Sequence, residues 1–200
     1  MKIYNMTQKS EDWHKIRLGK FTASNFNIFM TDKISKTKEK ELDKKASEII
    51  TGVLADSDFK NIHIERGIIL EDEARNIYEL ETGNKVDLVG FVELDSFVGC
   101  SPDGLIGEDG IIEIKCKDNH TFFRTKIDGS ISKQYFIQVQ FQMMVCNRQW
   151  CDFVIYNQNF IKSIFIKRII RDDNAIKEIK KYLEINIDEL KNNLKKFNDK

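Results

Sequence analysis

The chain has 200 residues, 41% of them apolar and 32% charged, with one proline and 10 glycines. That length and balance suit a single domain with a proper core and exclude collagen-like, low-complexity and disordered chains. Its 32 basic and 32 acidic side chains cancel, so no global positive charge marks a nucleic-acid binder, and any such contact must rest on local charge.

Along the chain, Met1-Lys2-Ile3-Tyr4-Asn5 lacks the apolar stretch of a signal peptide and no run reaches membrane-spanning length, so a cytoplasmic location without membrane contact is expected. Residues 11–31 read as a short helix, a turn at Leu18-Gly19 and a second helix from about Thr22. Residues 39–54 are helical, because Leu42, Ala46, Ile49, Ile50 and Val53 recur at helix spacing. Asp56 to His63 reads as a loop. Glu65 to Thr82 forms a helix that Gly83-Asn84 stops. Leu88 to Leu94 is a strand. Phe97–Cys100 and Ile111–Cys116 also have strand character, and the turn-rich Gly104–Gly110 between them predicts a hairpin.

Phe122 to Gly129 is irregular or helical, and Lys133 to Asn147 is a helix. Cys151–Tyr156 and Phe160–Ile170 are strands, joined as a hairpin by Asn157-Gln158-Asn159. The tail from Asp173 to Lys200 is a charged amphipathic helix. Its Ile176, Leu183 and Leu190 recur at heptad spacing, as do Ile187 and Leu194, and a stripe this short is expected to pack on its own domain, with a subunit contact as the alternative. The expected fold is α/β (α+β): a mixed sheet of about five strands flanked by helices, in one domain spanning 1–200 with the tail helix at about 173–200 and no internal repeat or linker.

The chemistry concentrates in Ser101-Pro102-Asp103-Gly104 and Glu113-Ile114-Lys115. A hairpin would bring Asp103 close to Glu113, and Glu113 and Lys115, two positions apart on a strand, project from one face. Two carboxylates plus phosphate oxygens suit Mg²⁺, which prefers oxygen ligands and keeps several waters. A lysine beside them can hold the attacking water, or deprotonate it if its own pKa is lowered. By themselves these residues read first as a turn aspartate and a solvated strand pair, because such strings are common.

Two stretches could supply local positive charge, Lys33–Lys45 and Lys162-Lys167-Arg168-Arg171; each is either a DNA contact or a solvated face. Cys100, Cys116, Cys146 and Cys151 read as free thiols rather than disulfides or a metal cluster, and His14, His63 and His120 are too dispersed for a zinc site.

Four segments carry a family resemblance. They are Trp13 to Ser24, with the pattern W-x-x-x-R-x-G-x-x-T-A-S; Gly67 to Arg75, G-x-x-x-E-x-x-A-R; Cys100–Leu105 with Glu113–Cys116; and Tyr135 to Gln140, Y-x-x-Q-V-Q. In this order they resemble the PD-(D/E)xK nucleases, a superfamily with a restriction-endonuclease-like core, and within it the lambda exonuclease (YqaJ-like) family of phage recombination nucleases, over roughly residues 10–160. The resemblance implies that Asp103, Glu113 and the helix-borne Glu71 hold Mg²⁺, or Mn²⁺ as a substitute, with the Ile114 carbonyl as a further ligand. It implies that Lys115 is the catalytic lysine and that Tyr135 and Gln138 line the site from a helix face that Gln142 continues. Arg17, Ser24 and Ser101 match residues that bind the 5′-phosphate of a DNA end, a role that suits a bidentate guanidinium and two hydroxyls.

The chain departs from the family pattern at Glu65-Arg66, where an aromatic is common, and at Lys117, where a proline commonly follows the cysteine. The resemblance further implies digestion of one strand of linear duplex DNA from 5′-phosphorylated ends, a ring-shaped homotrimer, and a single-strand annealing protein as partner. The alternatives are a PD-(D/E)xK endonuclease and a non-catalytic DNA-end-binding protein.

Overall fold

The run Gly110–Cys116 alternates side chains that need two different cores, and the architecture follows from that alternation. The computed structural model describes residues 1–55 and 62–199, with backbone alone for 62–68. In chain order the elements are β1 (Lys2–Tyr4), α1 (Glu11–Arg17), a 3₁₀ segment (Ala23–Phe29), α2 (Lys36–Thr51), α3 (Ile62–Thr82), β2 (Phe91–Glu93), β3 (Gly99–Cys100), β4 (Gly104–Ile106), β5 (Gly110–Cys116), α4 (Asn119–Asp128), α5 (Lys133–Cys146), β6 (Trp150–Tyr156), β7 (Ile164–Ile170) and α6 (Asp173–Asn198).

Strands β4-β5-β6-β7 form a mixed sheet in which only β5 and β6 run parallel. On one face Ile111, Cys151, Phe153 and Ile155 join the larger core with the 3₁₀ phenylalanines and the interior of α5. On the other, Ile112, Ile114, Val154 and Tyr156 pack with Ala74 and Tyr78 of α3. Strands alternate faces with period two, so Glu113 and Lys115 share the α5 face with Ile111.

The mixed α and β architecture agrees with the expectation, while the strand pairing differs from it. The expected strand Phe97–Cys100 does not pair with β5. Instead β3 joins β2 and β1 in a separate three-stranded antiparallel sheet, and the hairpin partner of β5 is β4, in register Gly104↔Ile112. Pro102 explains the break, since it has no N–H to give a ladder and forces the chain from one sheet to the next. The main sheet therefore has four strands, and the N-terminal strand β1 escaped prediction because three residues carry too little pattern.

Smaller differences have local causes. The second helix of the N-terminal pair is a 3₁₀ segment. Helix α2 begins at Lys36 behind a Ser35 cap and ends at Gly52, in the left-handed region at φ 68°. Its buried face is Lys38, Leu42 and Lys45, whereas Ile49, Ile50 and Val53 are exposed. Helix α3 is present from Ile62, where a loop was expected to run to His63; residues 56–61 lie outside the described residues, as do the side chains of His63, Glu65 and Arg66. Phe122 to Asp128 falls in α4, which Gly129 caps, and the last strand starts at Ile164 rather than Phe160.

Helix α6 packs on its own domain. Ile176, Ile179, Leu183 and Leu190 are buried against α2, α5 and the 3₁₀ segment. Leu190 is fully enclosed, so Leu190→Ala should lower stability in urea unfolding by about 2–5 kcal/mol, whereas Ile185→Ala, on the exposed side, should change it by less than about 0.5 kcal/mol. A Leu190→Ala protein of wild-type stability but altered mass in solution would assign the stripe to a contact between copies.

Candidate active site

Strand β4 covers β5 only as far as Ile112, so the second half of β5 has an open edge. Asp103, immediately before β4, bends over that edge, and its Oδ2 accepts the Ile114 N–H at 2.6 Å. A strand residue points its N–H and C=O to the same edge, so the Ile114 carbonyl faces the Asp103 side as well. Gly104 permits the approach: a Cβ there would lie 2.2 Å from Val86 Cγ1.

Glu113 is 2% exposed and both of its oxygens are occupied. Oε1 accepts from Gln138 Nε2 at 2.6 Å and lies 2.5 Å from Lys115 Nζ. Oε2 accepts from Gln142 Nε2 at 2.6 Å. Gln138 and Gln142 are four apart on α5, hence on one helix face, and Tyr135 lies one turn earlier on that face. The Tyr135 ring packs against Phe153, with Lys115 Nζ 5.5 Å and Lys117 Nζ 4.9 Å from its centroid.

Glu71 comes from α3 and lines, with Asp103, a cleft of about 520 Å³ whose other walls include Lys9, Arg75 and Val89. Burial pushes the Asp103 carboxyl well above the ordinary aspartate range, and the Glu113 and Glu71 charges push it further, against Lys115 and the Ile114 N–H. Burial likewise raises Glu71, with Lys9 and Arg75 opposing and Glu113 adding. For Lys115, burial favours the neutral amine, but Glu113 and Asp103 outweigh it and hold the group protonated above the ordinary lysine range. Beside Glu113, Lys115 is thus placed as a hydrogen-bond donor and a cation.

The three acids do not close a cage by themselves: among the described residues no three His, Cys, Asp or Glu side chains form a ready metal-holding group. This donor set nevertheless fits Mg²⁺, which is usually held by one or two carboxylates, waters and substrate phosphates. Two carboxyls with raised pKa in one cleft are repelled by each other's charge, and a dication relieves that repulsion.

A second cluster lies beyond Ser101. The Ser101 hydroxyl oxygen accepts from Trp13 Nε1 at 2.8 Å and from Arg17 Nη1 at 3.2 Å, which leaves its proton free to donate. Arg17 stacks 4.1 Å over the Trp13 ring and reaches Thr22 Oγ1 at 3.5 Å. It has no carboxylate in ion-pair contact among the described residues, and burial pulls its pKa down to about 10, with the more distant Glu48 charge opposing. A largely desolvated guanidinium without a carboxylate suits an anion. Ser24, exposed in the first turn of the 3₁₀ segment, takes no part in these hydrogen bonds; Thr22 does.

The structure thus gathers Glu71, Asp103, Glu113, Ile114, Lys115, Tyr135 and Gln138, places Arg17 and Ser101 together beside them, and leaves Ser24 out of that contact. Sequence reasoning put Gln142 on the site-lining helix face without giving it a task, and it gave none to Lys117, two positions after Lys115. It also missed Gln8, whose Nε2 donates to the Val89 and Pro102 carbonyls at 3.0 Å each and steadies the approach to Asp103. The four cysteines are free. Cys100 and Cys146 sit 3.6 Å apart as buried thiols, and burial holds Cys100 well above its ordinary pKa.

A raised folded-state pKa means that the folded protein binds the Asp103 proton more tightly than the unfolded chain does. Stability therefore falls as pH rises from the ordinary aspartate range through the raised value. In a chelator at neutral pH, Asp103→Asn should melt higher than the wild type, and the difference should shrink on acidification. Adding Mg²⁺ should raise the melting temperature of the wild type and leave that of Asp103→Asn nearly unmoved.

Residues 12–149 match the YqaJ-like viral recombinase domain. No curated protein matches the chain. The crystal structure of an alkaline exonuclease (LHK-Exo) from Laribacter hongkongensis is 34% identical, covers 95% of this chain and 97% of its own, and superposes with a TM-score of 0.87. The structure of LHK-Exo in complex with dAMP is 35% identical, with 94% and 96% covered and a TM-score of 0.86. A phage related exonuclease from Haemophilus somnus 129PT, 18% identical over 89% of this chain and 96% of its own, shares the fold with a TM-score of 0.65. This chain belongs to the YqaJ-like viral recombinase domain family.

Proposed function

We propose that the protein is a Mg²⁺-dependent DNA exonuclease that digests one strand of linear duplex DNA from 5′-phosphorylated ends, 5′ to 3′, in phage-type recombination in the cytoplasm. The observation that carries the reading is the open edge of β5, where Asp103 holds the Ile114 N–H while Glu113 and Lys115 project beside it. Support comes from LHK-Exo, an alkaline exonuclease similar over nearly the whole chain and also crystallised with dAMP.

In this reading Asp103, Glu113, Glu71 and the Ile114 carbonyl hold the metal. When bound, it would lower the pKa of a water and offset charge building on the phosphate. Gln138 and Gln142 fix Glu113, so its carboxylate is oriented before substrate arrives. Lys115, kept protonated, donates to the attacking water or to a phosphate oxygen. Tyr135 walls the site beside it. Arg17 and Ser101 take the terminal 5′-phosphate, with Thr22 supporting Arg17 and Ser24 approaching once the anion is bound. A ring-shaped trimer around the duplex and a single-strand annealing partner belong to the same proposal, supported by the family alone.

Purified Glu113→Ala, checked for folding by circular dichroism, should digest linear duplex in Mg²⁺ at least about 100-fold more slowly than the wild type, since preorganised charge stabilisation at a reaction centre is worth several kcal/mol. Digestion at the wild-type rate would end the assignment. Covalently closed circles should survive the wild type, and their cutting would identify an endonuclease. Binding without degradation in Mg²⁺ or Mn²⁺ would identify an end-binding protein. Arg17→Ala should slow attack on 5′-phosphorylated ends by about 10-fold or more while sparing 5′-hydroxyl ends, because a lost charge-assisted hydrogen bond is worth about 1.5–3 kcal/mol. Equal slowing on both ends would remove Arg17 from the phosphate site.

A further inference from the structure

Two residues after Lys115, a second ammonium stands at the same site, with no carboxylate in ion-pair contact among the described residues. Lys117 is half-buried at the end of β5 and points along the α5 face with Glu113 and Lys115. Its Nζ donates to the Tyr135 hydroxyl and lies 4.9 Å from the centre of the Tyr135 ring. The backbone is pinned on both sides: the Lys117 N–H donates to the Tyr156 carbonyl at 3.0 Å, and its carbonyl accepts from Asn157 Nδ2 at 2.8 Å. Asn157 is 4% exposed, so this anchor is shielded from water.

The contrast with Lys115 is informative. Lys115 is paired with Glu113. Lys117 has no carboxylate in ion-pair contact among the described residues; a neutral phenol is its partner. Half-burying a lysine without a carboxylate is costly, and surface lysines seldom keep a fixed position, since ordering so flexible a side chain costs rotamer entropy. Here the tyrosine ring and hydroxyl hold the ammonium in place beside an acidic cluster that by itself repels a polyanion.

We propose that Lys117 is a binding residue for the nucleic-acid backbone, its ammonium taking a non-bridging phosphate oxygen of the strand that lies across Tyr135. This rests on the nuclease reading of the same site. Tyr135 then has two tasks, packing beside Lys115 and presenting Lys117. The contact is to phosphate and is blind to sequence.

The test is the salt dependence of binding to a 5′-phosphorylated linear duplex, followed by fluorescence anisotropy with Ca²⁺ replacing Mg²⁺. Lys117→Gln should reduce the slope of log K against log salt by about 0.7–0.9, the loss of one phosphate contact, equally for duplexes of different sequence. Lys117→Arg should keep the wild-type slope, and all variants should keep the wild-type melting temperature. A Lys117→Gln slope equal to the wild type would overturn the proposal, and if digestion were slowed at the same time it would make Lys117 a positioning residue for Tyr135. A wild type that neither binds nor digests DNA would overturn the nuclease reading and this proposal with it. A wild type that does both, with an unchanged Lys117→Gln slope, would overturn this proposal alone.

Discussion

The site depends on one unpaired strand edge. Because β4 stops pairing at Ile112, the Ile114 amide needs a partner, and the Asp103 carboxylate supplies it at 2.6 Å. That bond does two things. It satisfies a main-chain group that would otherwise be left unpaired, and it fixes an acid within range of Glu113. Pro102, Gly104 and the register Gly104↔Ile112 all serve this geometry: the proline ends one sheet, the glycine lets the chain approach Val86, and the register sets how much of β5 stays open.

Charge is the second constraint. Glu113 is nearly sealed from solvent, yet it is matched by two glutamine amides and an ammonium, the satisfied kind of buried charge. Asp103 and Glu71 are not so matched, and their raised proton affinity records it. The fold therefore keeps one acid fully neutralised and two frustrated. Such a site gains from a divalent cation, and strain of this kind is commonly retained where function requires it. The cation-bearing side chains around it divide the remaining work: Lys115 serves Glu113, Arg17 sits beside Ser101, and Lys117 rests on the Tyr135 hydroxyl.

Much of the site was legible in the chain because its spacing is local. Glu113 and Lys115 share a strand face by simple alternation, and Tyr135, Gln138 and Gln142 share a helix face. Glu71 was selectable among its acidic neighbours only by the phase of the Gly67–Arg75 motif, and the structure places it on the cleft with Asp103. What could not be read is what depends on pairing between distant segments. Phe97–Cys100 has the composition of a hairpin partner for β5, but its Gly99 and Cys100 pair with β2, and nothing in its residues states that choice. The protonation of Lys115 was hidden for the same reason: it depends on the 2.5 Å contact with Glu113 and on Asp103 arriving from another segment. Helix α2 misled because Ile49, Ile50 and Val53 fit the helical period, yet the buried face follows Lys38, Leu42 and Lys45. The Lys45 ammonium is held there by the Lys20 carbonyl at 2.7 Å.

The most direct test of the central claim is an anomalous difference map from crystals grown with Mn²⁺ and a 5′-phosphorylated duplex. The account predicts a peak on the open edge of β5, bounded by Asp103, Glu113, Glu71 and the Ile114 carbonyl. Density for Mn²⁺ elsewhere on the protein, with that edge vacant while DNA is bound, would contradict it.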